Sequence, residues 1–169
     1  MMKLVEGLLE FTFADSCVAA KYDNWSFYRN QFQNTCAGAK AVDMVCIANK
    51  TCWLIEIKDY REHQRTKPQD LGEEVAIKVR DTLAGLLAAK MNANDAYEKL
   101  VAKKSLQAKA IKVVLHLEQP STHSRLFPKQ IDPASLKQSL KRQLRAIDAH
   151  PQIVGQHSLS ASMDWTVTG

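Results

Sequence analysis

The stretch AVDMVCIANKTCWLIEIKDYR, residues 41–61, decides the fold. Residues 42–48 and 51–57 are rich in β-branched and other apolar side chains, and each run is long enough for a strand. Asn49-Lys50 lies between them. Asn tolerates positive φ, so the spacing predicts a hairpin with a two-residue turn. Ala48 then pairs with Thr51, and counting along the ladder sets Asp43 opposite Glu56. Directly opposed residues carry Cβ atoms about 5 Å apart on one face of the sheet. Lys58 lies two residues beyond Glu56 and shares that face. A slip of one residue would undo the arrangement, so it depends on the turn being tight.

Two like charges directly opposed destabilise a hairpin by roughly 0.2–1 kcal/mol, and more if half-buried. A divalent cation offsets that cost, and oxygen ligands of this kind suit Mg²⁺ or Mn²⁺. Mg²⁺ typically takes one or two protein carboxylates, so Asp43 and Glu56 suffice as ligands, with the backbone carbonyl of Ile57 as a further candidate. The plainer alternative is a surface salt bridge between Glu56 and Lys58, which contributes little. The flank Trp53, Leu54, Ile55, Ile57 argues against it, because it reads as a strand buried on both faces, where charges are costly.

Val42-Asp43, twelve intervening residues and then Glu56-Ile57-Lys58 resemble the motif of the PD-(D/E)xK phosphodiesterase superfamily, the restriction-endonuclease-like proteins. Val42 stands where that motif has Pro. The resemblance covers roughly residues 41–119. It implies an α/β fold with an α-β-β-β-α-β core, a mixed central sheet flanked by helices, within a single domain spanning residues 1–169. It also implies Asp43 and Glu56 as metal ligands and Lys58 as the group that positions the attacking water. An acid from the first helix often joins such sites. Glu6 and Glu10 are the nearest candidates here, and Glu10 reads better as a solvent-facing residue.

The remaining chain supplies further elements. Asp70-Leu71-Gly72-Glu73 reads as a capping box opening a helix to about Met91, with Val75, Val79, Leu83, Leu86 and Leu87 at helical spacing. Asn94 is expected to cap a shorter helix to about Lys104, and residues 110–118 read as a strand. Asp132-Pro133 starts a helix to about Ile147, whose buried stripe is Leu136, Leu140, Leu144 and Ile147. Residues 160–168 alternate as an edge strand. Residues 9–13 and 17–22 are expected strands, and 25–33 a short helix.

The composition suits a soluble chain with a real core. There is no apolar run near the length of a membrane span, and the N-terminal stretch carries an acid and no cleavage pattern. The four cysteines, at 17, 36, 46 and 52, have no CxxC spacing, and Cys46 and Cys52 fall on opposite hairpin faces. Reduced thiols and a cytoplasmic location are expected. His116 reads as a core residue and His63 as an exposed loop residue. His123, His150 and His157 sit in loops and form no metal triad.

The 23 basic residues exceed the 18 acidic ones, a net charge of +5. Lys137, Lys141 and Arg145 recur every fourth residue, with Arg142 beside them, forming a basic ridge or an ordinary solvated helix face. Arg61, Arg65 and Lys67 lie in a loop leaving the strand of Lys58, placed to hold phosphates without reading bases. These features together point to a Mg²⁺-dependent nuclease, a hydrolase cutting phosphodiester bonds in nucleic acid, with DNA favoured and a role in repair, recombination or defence. The alternatives are a nucleic-acid-binding module without turnover and a protein-interaction module on the same fold. A homodimer or a place in a larger complex is compatible with either.

Overall fold

The computed structural model describes residues 1–120 and 131–169. His123 lies outside the described residues. In chain order the strands and α-helices are β1 (Met2–Glu6), β2 (Leu9–Phe13), β3 (Val18–Lys21), α1 (Ser26–Asn30), β4 (Met44–Ala48), β5 (Thr51–Asp59), α2 (Leu71–Asn92), α3 (Ala96–Leu106), β6 (Ala110–Glu118), α4 (Pro133–Leu144), β7 (Gln152–Val154) and β8 (Trp165–Thr168). Short 3₁₀ turns flank α1.

The β4–β5 hairpin takes the expected register, from Ala48 opposite Thr51 to Met44 opposite Ile55. Asn49 and Lys50 both have positive φ, 49° and 62°. That is the left-handed pair a tight hairpin turn needs to match the twist of its strands. The hairpin is part of a five-stranded sheet ordered β3-β4-β5-β6-β7. β3, β4 and β5 run antiparallel, whereas β5, β6 and β7 are parallel. A parallel pair requires a long crossover, and α2 and α3 supply the one between β5 and β6.

Period-two alternation divides the sheet's residues between two cores. Val45, Leu54, Val113 and Leu115 pack with Val75, Val79 and Leu86 of α2, Val101 of α3 and Leu140 of α4. On the opposite face Met44, Ile55 and Val114 pack with Leu9, Phe11, Phe13, Trp165 and Val167. Those last residues belong to a second sheet ordered β1-β2-β8. Cys46 and Cys52 fall in different cores, and all four cysteines are free thiols.

The mixed α/β class holds, but the start of the chain departs from the expected core. Instead of a leading helix, the first 13 residues form the β1–β2 hairpin, because Leu9, Phe11 and Phe13 alternate with period two and are fully buried. Two strands, β1 and β7, were not anticipated. β7 has only three residues, too few for a periodic signal. Asp95 rather than Asn94 caps α3, accepting the amides of Tyr97 and Glu98. α4 ends at Leu144, a turn short of Ile147. None of the described helices is long and apolar enough to cross a membrane.

Candidate functional site

The hairpin brings Asp43 and Glu56 together, and the helix behind it determines what they meet. The Asp43 carbonyl accepts the Tyr22 amide at 3.0 Å, fixing the residue just before β4. Its Oδ2 accepts the Ile57 amide at 2.6 Å. Glu56 is fully buried. Its Oε1 receives Lys58 Nζ at 2.8 Å and Lys78 Nζ at 2.6 Å. Lys78 also stands 4.0 Å from Asp43 Oδ1. Lys58 reaches Glu74 at 3.3 Å, and Glu74 in turn holds Arg65 at 2.7 Å. The result is a chain of alternating charge, Asp43–Lys78–Glu56–Lys58–Glu74–Arg65, between β5 and the first turns of α2.

This network sets the electrostatics. Burial, and then the neighbouring Glu56 carboxylate, push the Asp43 carboxyl up to about 7 against the opposing pull of Lys78 and the Ile57 amide. Burial alone would lower the Lys58 ammonium, but Glu56, Glu74 and Asp43 outweigh it and hold the group above its ordinary value. Burial would raise the Glu74 carboxyl, but Arg65 and Lys58 bring it down to about 2. Lys58 is therefore a cation paired with both Glu56 and Glu74.

Sequence reasoning missed Lys78 and Glu74. The signal was a polar line inside the apolar stripe of α2: Glu74, Lys78 and Thr82 recur every fourth residue beside the buried Val75 and Val79. Thr82 confirms that this line faces inward, since its hydroxyl accepts the Val42 amide at 3.0 Å. The cation inferred to offset Asp43 against Glu56 is thus supplied, at least in charge, by a lysine of the protein. For Mg²⁺ or Mn²⁺ one observation is favourable: Glu56 Oε2 is buried without a hydrogen-bond partner. The described residues hold no group of three or more His, Cys, Asp or Glu arranged for a metal, so any ion here would rest on the two carboxylates Asp43 and Glu56.

The other candidate residues separate into engaged and exposed cations. Arg61 grips Asp59 through two nitrogens, at 2.9 and 2.6 Å, and donates to the Gly169 carbonyl. Arg65 donates to the Tyr60 hydroxyl and the Gln69 carbonyl besides holding Glu74. Lys67 lies 3.3 Å from Glu74 but remains 65% exposed. Lys137 and Lys141 on α4 and Arg145 at its C-cap are exposed, opposite the buried Leu136, Leu140 and Leu144. Glu10 does not join the site; it pairs with Lys3 at 2.7 Å in the second sheet. Glu6 pairs with Lys21 at 2.7 Å. His116 is a core residue, bonded to Glu118 Oε1 at 2.9 Å and set edge-on to Phe11.

Fold and site together define a two-sheet α/β protein with a buried acid–lysine network and an exposed basic helix. The chain is similar to a cysteine–tRNA ligase of Neisseria meningitidis, 34% identical over 167 residues. The match takes in 80% of this chain and 24% of the ligase, so the chain spans about a quarter of the length of the curated relative it matches. No protein-family model matches the chain. No solved structure matches it either.

The similarity corrects the resemblance to the PD-(D/E)xK superfamily and, with it, the reading as a DNA-cutting, metal-dependent nuclease: the relative is a tRNA ligase. There is a physical reason the motif misled. An Asp and a Glu-x-Lys on adjacent strands are three common residues, and here they close on Lys78 and Glu74 as an ion-pair network. The alternative of an inactive module on the same nuclease fold gains no better support from that relative.

Proposed function

We propose that the chain is a tRNA-contacting module of aminoacyl-tRNA synthesis, related to a part of cysteine–tRNA ligase. The similarity over 80% of the chain to a cysteine–tRNA ligase carries this reading. A cytoplasmic setting and membership of a larger complex follow from it as parts of the same proposal. The exposed ridge of Lys137 and Lys141 on α4 and Arg145 at its C-cap supports it, because cations at one-turn spacing meet phosphates without reading bases. Of Arg61, Arg65 and Lys67 in the β5–α2 loop, Lys67 is the most exposed and so the one freest to meet a phosphate.

The test is fluorescence anisotropy with labelled tRNA across a salt series. The expected result is an affinity that falls as salt rises, with log K falling by roughly 0.7–0.9 per phosphate contact for each unit of log salt. The triple change Lys137→Glu, Lys141→Glu, Arg145→Glu should flatten that slope. Absence of any salt-dependent tRNA binding would sink the reading. Addition of the chain to a cysteine–tRNA ligase assay then asks whether it alters charging.

A divalent cation at Asp43 and Glu56 is a separate proposal, supported by the unpartnered Glu56 Oε2. Calorimetric titration with Mn²⁺ should give a site that Glu56→Gln abolishes; heat unchanged by that substitution would remove Glu56 from it.

A further inference from the structure

The end of the sheet where β5 and β6 begin carries a concentration of cations separate from the α4 ridge. Residues 103–112 contain Lys103, Lys104, Lys109 and Lys112 and no acid. Lys50, in the hairpin turn, is tied to the same end, because its carbonyl accepts the Lys109 amide at 2.7 Å. Between the α3–β6 connection and the segment leaving α4 is a cleft of about 430 Å³, lined by Lys109, Lys112 and His150.

Among the described residues its only lining acid is Asp148, which is 4% exposed. Asp148 accepts the Val113 and His150 amides, both at 2.9 Å, and stands 3.3 Å from Lys112 Nζ. It therefore acts as the brace that holds the two walls together and offers solvent little negative charge. Lys104 and Lys109 are exposed, and neither has an ion-pair partner within 4.0 Å among the described residues.

Resting on the tRNA reading above, we propose that this cleft is a phosphodiester subsite: Lys109 and His150 take one or two backbone phosphates of RNA, backed by Lys112, which Asp148 holds in place, while Lys104 in the last turn of α3 and Lys50 in the hairpin turn add positive charge to this end of the molecule. Lysine is suited to this as a point charge that follows the backbone and leaves the bases unread. The cleft opens to solvent, with Lys109, Lys112, Asp148 and His150 set among small or aliphatic residues such as Ala108 and Ile147. α4 ends just before Ile147-Asp148, so its basic ridge and this cleft are consecutive along the chain.

The experiment uses the full chain, with labelled tRNA and a labelled DNA duplex of similar length as probes, in a salt series. The double variant Lys104→Glu, Lys109→Glu alters two exposed side chains, and Lys109→Gln is the milder second variant. Lys3→Glu, in the other sheet, is the control. Expected are a loss of at least about tenfold in tRNA affinity for the double variant, a salt slope reduced by about 2, and no change in the control. Wild-type affinity and slope in both cleft variants would overturn the subsite and leave the tRNA reading standing on α4. Equal binding of DNA and tRNA, lost together in the double variant, would keep the subsite and overturn its assignment to tRNA. Absence of salt-dependent binding to either probe would overturn both.

Discussion

Lys78 of α2 donates to Glu56 of β5 at 2.6 Å across a buried helix–sheet interface. Glu56 has no exposed surface, and Lys78 has little. Taking one partner from such a pair leaves a buried charge uncompensated, at a cost of about 3–5 kcal/mol. Lys58 still reaches the same Glu56 oxygen, so Lys78→Met should fall near the lower end, about 3 kcal/mol by urea unfolding. Adding Glu56→Gln should recover part of that loss, because the stranded charge goes. Strict additivity of the two changes would mean that the contact contributes nothing to stability.

The pH dependence of stability should pass through a maximum. Asp43 is raised from 3.8 to about 7, so the folded state binds its proton more tightly than the unfolded chain does. Its contribution is present in full below pH 3.8 and is lost as pH rises to 7, by up to about 4 kcal/mol in total. Glu74 is lowered from 4.5 to about 2, so its contribution is present above 4.5 and is lost as pH falls toward 2. The two windows leave a maximum between 3.8 and 4.5, the ordinary values of Asp43 and Glu74, where the opposing slopes cancel. Chemical denaturation with EDTA from pH 3 to 8 should find it. Asp43→Asn should flatten the upper limb, since Asn still accepts the Ile57 amide and carries no proton to lose. An unaltered limb would assign that slope to another group.

Strands and helices were legible in the sequence where a local chemical signal fixed them. Asn49 marked the turn, and the turn alone determined which side chains oppose each other. Asp70 and Asp132 marked helix starts because their side chains do accept first-turn amides. The meaning of the charged residues was not legible, because it depends on distant partners. Nothing around Glu56 indicates that Lys78, 22 positions later, will cover it. Counting Arg61 and Arg65 as phosphate contacts ignored the acids that engage them, Asp59 and Glu74. The lysines between 103 and 112 stand in one run of sequence, but only the fold brings Lys109 and Lys112 to His150.

The two arginines and the lysine of the β5–α2 loop should therefore separate in experiment. Arg65→Ala strands Glu74, which Lys58 and Lys67 hold only at 3.3 Å, and should cost about 1–3 kcal/mol. Lys67→Ala removes an exposed side chain and should stay within about 0.5 kcal/mol. Thermal unfolding of the two variants side by side reads the difference. Equal losses would show that the Arg65–Glu74 contact does not persist in solution.

Gly85 lies inside α2, where glycine normally costs about 1 kcal/mol relative to alanine. A β-carbon there would sit 1.9 Å from the Tyr22 hydroxyl and 3.1 Å from the Phe32 ring. Gly85→Ala should consequently destabilise, by about 1–3 kcal/mol, instead of giving the usual gain. The Tyr22 hydroxyl is buried without a hydrogen-bond partner, so Tyr22→Phe should be neutral or mildly stabilising. It also removes the atom that forbids the methyl group. In the Tyr22→Phe background, Gly85→Ala should lose most of its penalty, leaving only the tight approach to Phe32. Denaturation midpoints of the four proteins in this cycle measure the coupling. An undiminished penalty in the phenylalanine background would place the obstruction at Phe32 and leave the tyrosine hydroxyl without a part in it.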